Sequence, residues 1–181
     1  GQLMPPMYGN IFFEHGHRMI ATTVGFLTII LAIWIYRADD RAWMRRLGFA
    51  ALGAVILQGL LGGLTVLYLL PKWVSVSHAC LAEIFFSTTV AIALFTSPKF
   101  RNEPNMVDAT GSLSLRTLGF WLPAVVLCQV FLGAAFRHKA LDLIWHVAGA
   151  VAVTGAILFV AVFALLSYPH HRTLRTFAIL L

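Results

Sequence analysis

Five apolar runs, each long enough to cross a lipid bilayer, constrain this chain more than any other feature. They cover approximately residues 11–36, 47–70, 73–96, 118–136 and 143–167, and spanning the hydrocarbon layer takes roughly 20 apolar residues in a helix. A sixth run begins near Thr176 and continues to Leu181. In hydrocarbon every backbone N–H and C=O needs a partner inside the protein, so runs of this length select helices. The composition agrees: 60% hydrophobic and 11% charged residues, with a mean hydropathy of +0.85, exclude an ordinary soluble domain. The expected fold class is therefore all-α, a polytopic transmembrane helix bundle with five full spans. Segment 1–10, with Pro5 and Pro6, reads as a loop leading into the first span.

The net charge of +6 is no nucleic-acid signal, because the basic residues sit in short loops between apolar runs. Nine of the thirteen Lys and Arg fall on one side: Arg37, Arg41, Arg45 and Arg46; Lys99, Arg101 and Arg116; Arg172 and Arg175. Arg18, Lys72, Arg137 and Lys139 fall on the other. By the positive-inside rule the nine face the cytoplasm, which places Glu14 on the outer side. No charged n-region precedes the first span, so no signal peptide is expected, and the opening residues read as the interior of a longer protein. Cys80 and Cys128 both lie within apolar runs, without CxxC spacing or a loop partner, and read as small packing residues.

The chemistry gathers at the outer ends. Glu14-His15-Gly16-His17-Arg18 opens the first span, and on a helix Glu14, His17 and Arg18 share one face. Ionisable residues so placed are a functional-site hypothesis by default; the competing reading is an interfacial anchor, an arginine snorkelling to headgroups with an acid and a histidine beside it. His78 and His146 stand near the starts of spans three and five, which enter from the same side. At 1.5 Å per residue His17, His78 and His146 each lie roughly 5–9 Å below the start of their own helix. Imidazoles in hydrocarbon need partners, and a metal or haem iron would serve, although a lone histidine there is more often a hydrogen-bonded packing residue. His15 points about 200° away from His17 around the helix. His170 and His171, after Pro169, read as solvated.

An internal echo accompanies the histidines. Gln58-Gly59-Leu60-Leu61-Gly62 in span two and Gln129-Val130-Phe131-Leu132-Gly133 in span four share Q-x-x-L-G, and each precedes a short outer loop and a histidine-bearing helix. Repeated helix pairs imply a pseudo-symmetric bundle. The small residues Gly59, Gly62, Gly63, Gly133, Ala134 and Ala135 allow close helix approach, which plain helix packing or a flat macrocycle would both exploit.

With these residues in view, the chain resembles the haem A synthase family. Glu14 to Arg18 resembles its E-x-x-H-R; Gln58 to Val66 its Q-x-x-L-G-G-x-T-V; His78-Ala79-Cys80-Leu81-Ala82 its H-x-x-L-A; and Leu132 to His138 its L-G-A-x-x-R-H. The opening Gly1 to Met7 resembles the tail of the family's first outer loop. The resemblance implies part of an eight-helix, two-half architecture, with this chain an internal fragment lacking the first and last helices. Its segments would be an outer loop (1–10), helices of the N-terminal, substrate-haem half (11–97), a cytoplasmic loop (98–117) and the start of the C-terminal, haem b half (118–181). The resemblance further implies His17 and His78 as the iron ligands of the substrate half, Glu14 as the catalytic carboxylate, and His146 as one ligand of haem b. Arg18, Arg137, His138 and Lys139 become candidates for haem propionates; each basic residue also suits a plain interfacial anchor.

The implied reaction is oxidation of a methyl group of haem O to the formyl group of haem A, through successive hydroxylations and loss of water from a geminal diol. The cofactor is haem b, with haem O and haem A as substrate and product. The partners implied are haem O synthase, the lipid bilayer and a second copy of the chain, and the location is a bacterial-type plasma membrane with the haem sites toward the outer face. Span five carries no Glu/Arg pair beside His146, since Leu143 and Val147 occupy those places, and such a site suits electron transfer rather than chemistry. Two other classes stay open on the residues alone. A dihaem b-type cytochrome exchanging electrons with quinone leaves Glu14 without a role, and a haem-free transporter would use the His/Glu set as a proton relay.

Overall fold

A computed structural model describes residues 10–69, 71–98, 100 and 114–180. Among these the regular structure is entirely helical: α1 (Asn10–Ala38), α2 (Ala42–Leu67), α3 (Lys72–Thr96), α4 (Leu115–Arg137), α5 (Leu143–Ser167) and α6 (Arg172–Leu180). The first five are long and apolar enough to cross a membrane, so the chain is an integral membrane protein. Exposed Phe, Leu, Ile and Trp along their flanks, such as Phe26, Leu60 and Val151, are what a lipid-facing surface requires. The expected loops over 1–9 and most of 98–117, with Lys99 and Arg101, lie outside the described residues.

Two helices start earlier than hydropathy indicates. α2 begins at Ala42 rather than 47, because the amphipathic Met44-Arg45-Arg46 turn continues the helix beyond the hydrocarbon. α4 begins at Leu115 rather than 118, where the Ser114 side chain accepts the Thr117 N–H at 3.2 Å and caps the first turn. Within the spans, hydroxyls return to their own helix: Thr22 donates to the Arg18 carbonyl at 2.9 Å, Thr28 to Val24 at 2.7 Å and Thr88 to Ile84 at 2.7 Å. A threonine satisfied in this way can sit in lipid without a second helix.

The described chain divides into two units. The first holds α1, α2 and the second part of α3, from Ile84 on. Its core is Ile35, Met44, Ala51 and Ile92, with Leu31, Leu47, Phe85 and Phe95 against it. Gly48 lets the α1–α2 hairpin close, since a Cβ there would come within 3.3 Å of Ile35 Cδ1. At the hairpin corner Asp39 is buried at 5% exposure. It accepts the Arg41 backbone N–H at 3.0 Å and the Arg41 guanidinium at 2.6 and 2.9 Å. Arg41 reaches on to the Phe95 carbonyl of α3 at 3.0 Å and lies over the Trp43 ring, while Arg45 Nε donates to the Asp39 carbonyl at 2.7 Å. The Arg41 pKa is raised, chiefly by its hydrogen bond to Asp39 and against a desolvation cost, with Coulombic attraction adding. Arg41 and Arg45, which as sequence are simply positive loop charges, tie three helices together.

The second unit holds the start of α3, through Glu83, with α4, α5 and α6. Val76 of α3 meets Ala134 and Ala135 of α4, flanked by Ala79, Cys80, Ala140 and Leu141, and Trp73 stacks on Phe131 with centroids 6.4 Å apart. Cys80 is thus a packing residue, whereas Cys128 is exposed on α4; both are free thiols. At the far end of α5, Ala161 and Ala164 pack with Ala178 of α6 and with Leu115 and Leu165.

Removing one partner of a buried ion pair strands the other, at about 3–5 kcal/mol. Asp39→Ala is accordingly expected to lower the unfolding free energy of the protein in mixed micelles by about 3 kcal/mol. Asp40→Ala, at a fully exposed side chain, is expected to change it by less than about 0.5 kcal/mol.

Candidate functional site

The N-terminal end of α1 carries the first group. Arg18 Nη2 donates to Glu14 Oε1 at 2.8 Å, across one helical turn, with both side chains more than half exposed. His17 beside them is exposed, and His15 on the other side of the helix is half-buried. Helix arithmetic gives this placement its meaning. At 3.6 residues per turn, eighteen residues make five full turns. Glu14 therefore lies in line with Ala32, and His17 in line with Ile35, which are 3% and 5% exposed. The acid and the imidazole continue the packing face of α1 past the point where its unit covers that face.

α5 repeats the arrangement. His146 stands eighteen residues before Ala164, which is 5% exposed and packed on α6. The His146 ring is half-buried and held from α4. Gln129 Nε2 lies 3.0 Å from its Nδ1 and donates to its backbone carbonyl at 3.0 Å. Phe136 lies nearly parallel to the ring, 4° between planes at 6.1 Å, and Gly133 lies against its edge, where a Cβ would stand 3.0 Å from Cε1. A Cβ on Gly149 would collide with Gln129 Oε1. A side chain at position 149 would displace the Gln129 amide from where it stands, and one at 133 would press on the His146 ring. Gly59 and Gly63 of the echo have open space in front of them instead.

His78 is half-buried on the start of α3, two residues after Val76, which packs on the Ala134–Ala135 end of α4. That end carries Arg137, His138 and Lys139. α4 closes with the His138 N–H on the Ala134 carbonyl at 3.0 Å and the Ala140 N–H on the Ala135 carbonyl at 2.7 Å, while Lys139 takes a left-handed conformation with φ 55°. Leu69, just after α2, has the same φ of 55°. Arg137 and Lys139 are exposed and His138 half-buried, and among the described residues no ion pair engages the two cations.

Of the expected residues, then, Glu14, His17 and Arg18 come together in the first unit, and His78, His146 and Arg137 to Lys139 lie in the second. Among the described residues no three His, Cys, Asp or Glu converge as ligands of a bare metal ion. Separate imidazoles are what haem iron uses, and the buried Gln129 Oε1, which has no hydrogen-bond partner, marks a polar arrangement at His146 that packing alone leaves incomplete. These residues fit a haem. A surface hollow of about 450 Å³ lined by Arg116, Phe120 and Trp121 sits at the opposite end of α4 and holds none of them. Gln129 is the residue that a reading for ligands passes over; an amide in hydrocarbon, repeated seventeen and twenty residues before a histidine, was the available signal.

Comparison with known proteins bears on these groups. The family of cytochrome oxidase assembly proteins designated COX15-CtaA matches residues 8–146. A heme A synthase of Symbiobacterium thermophilum is 29% identical over 143 residues, covering 76% of this chain and 46% of that protein. One of Chelativorans is 31% identical over 142 residues (74% and 37%), and one of Methylobacterium radiotolerans is 31% identical over 150 (77% and 38%). The chain thus spans less than half the length of these relatives. No solved structure matches it.

An exposed i,i+4 ion pair contributes only about 0.3–0.5 kcal/mol. Glu14→Gln is therefore expected to leave the thermal midpoint of the purified protein within about 2 °C, so that any functional loss in this variant is not a loss of fold.

Proposed function

The chain belongs to the COX15-CtaA family of cytochrome oxidase assembly proteins, and from that premise we propose that the protein it represents is a haem A synthase. It oxidises a methyl group of haem O to a formyl group within the membrane. The observation that carries this reading is the N-terminal end of α1, where Glu14 and His17 continue a packing face that their own unit leaves open. A carboxylate next to an imidazole is chemistry that an electron-transfer site does not need.

In this reading, which for the ligands rests on the family resemblance alone, His17 and His78 would each be an iron ligand of the substrate haem and His146 would be one of haem b. The haem, when bound, supplies the redox chemistry, and the protein supplies position, dryness and charge. Glu14 takes up a proton or faces the positive charge that develops at the carbon being oxidised, and Arg18 aims it by the bond at 2.8 Å. Arg137, His138 and Lys139, presented by the left-handed turn after α4, meet propionates at the bilayer edge. By the positive-inside rule the distribution of basic residues supports a location of both haem sites toward the outer face of the membrane.

The test is pigment analysis of the full-length protein expressed with and without a haem O supply, with extracted haems identified by mass. Haem A is expected only when haem O is present. Glu14→Ala is expected to retain haem and to form haem A at least about 100-fold more slowly. Haem b alone, unaffected by haem O or by that substitution, would mean an electron-transfer cytochrome.

A further inference from the structure

Gln129 does more at His146 than fill space. Its NH2 group reaches both the ring Nδ1 and the backbone carbonyl of His146, each at 3.0 Å. Its oxygen is buried without a hydrogen-bond partner. Leaving a buried amide oxygen unpaired is unfavourable, yet Gly149 leaves the room this oxygen needs, and Gly133 brings the ring alongside. With an N–H aimed at Nδ1, the neutral ring carries its own proton on Nε2, which is the tautomer that cannot bind iron through Nε2. A ligating histidine needs the reverse, an Nδ1–H donated to a neighbouring acceptor. The acceptor is already in the same side chain, since half a turn of the terminal amide exchanges Nε2 and Oε1.

We propose that Gln129 is the positioning residue of His146, an amide with two settings. Its NH2 faces Nδ1 when iron is absent, and its oxygen faces Nδ1–H when His146 binds haem iron through Nε2. The inference rests on the reading of His146 as a haem ligand. On loading, Nε2 gives up its proton as the Fe–N bond forms and Nδ1 gains one, so the ring's charge is unchanged. The turn gives the oxygen a donor at Nδ1 but forfeits the bond to the His146 carbonyl, so the amide also swings away from that carbonyl oxygen, and its NH2 takes the buried place the oxygen held.

The experiment uses the full-length protein and reads haem b content by pyridine haemochrome and its midpoint potential by spectroelectrochemistry. Gln129→Leu is expected to weaken haem b retention by about 10–100-fold and to raise the potential of the haem that remains, because the ring loses its acceptor. Gln129→Glu is expected to retain haem and to lower the potential below wild type, because a carboxylate draws the Nδ1 proton more strongly. Gly149→Ala, which pushes the amide off the ring, is expected to shift the potential in the direction of Gln129→Leu. A structural role would not give opposite shifts for Leu and Glu, so unchanged potentials, or shifts of one sign, would overturn the proposal. His146→Ala separates the two readings. Loss of haem b in that variant is expected, and combined with unmoved potentials in the Gln129 variants it would refute the inference about Gln129 alone. Retention of haem b in His146→Ala would remove His146 as a ligand and the inference with it.

Discussion

In hydrocarbon no water is at hand to satisfy a polar group, and the organisation of this protein follows from that one constraint. Threonines fold their hydroxyls back on their own helices. Asp39 and Arg41 neutralise each other at a helix corner and spend their remaining hydrogen bonds joining α1, α2 and α3. What is left over is informative because it has no such housekeeping role. Glu14 and His17 stand on a stripe of α1 that is buried further along and open where these residues sit.

Helix association without a hydrophobic driving force depends on close backbone approach and on polar links. The two units solve this differently. The first uses Gly48 against Ile35 and the Asp39–Arg41 corner. The second uses Ala134 and Ala135 against Val76, and Gly133 and Gly149 around the Gln129–His146 pair. The polar link of the second unit therefore coincides with its candidate ligand, so the element that assembles α4 with α5 also aims the imidazole.

Much of this was legible in the sequence, for physical reasons that can be named. Hydropathy found the five spans because bilayer thickness sets their length, and it missed the first turns of α2 and α4 because helices continue where the hydrocarbon ends. The alignment of His17 with Ile35 and of His146 with Ala164 follows from 3.6 residues per turn once the helices are granted. The role of Arg41 was not legible: nothing local distinguishes an arginine that orients a chain in the membrane from one that also grips the Phe95 carbonyl 54 residues away. Gln129 was visible as half of an echo, but its partner across the α4–α5 turn required the fold. The family's pattern pointed to candidate ligands and was silent on what holds them.

The central proposal is that the chain offers imidazole ligands to haem iron at the N-terminal end of α1 and at the N-terminal end of α5. Electron paramagnetic resonance of the oxidised full-length protein, loaded with haem O and haem b, tests it directly. Two low-spin signals are expected, one altered or lost in His17→Ala and the other in His146→Ala, each substitution sparing its counterpart. A single signal abolished by both substitutions, or signals indifferent to either, would contradict the account.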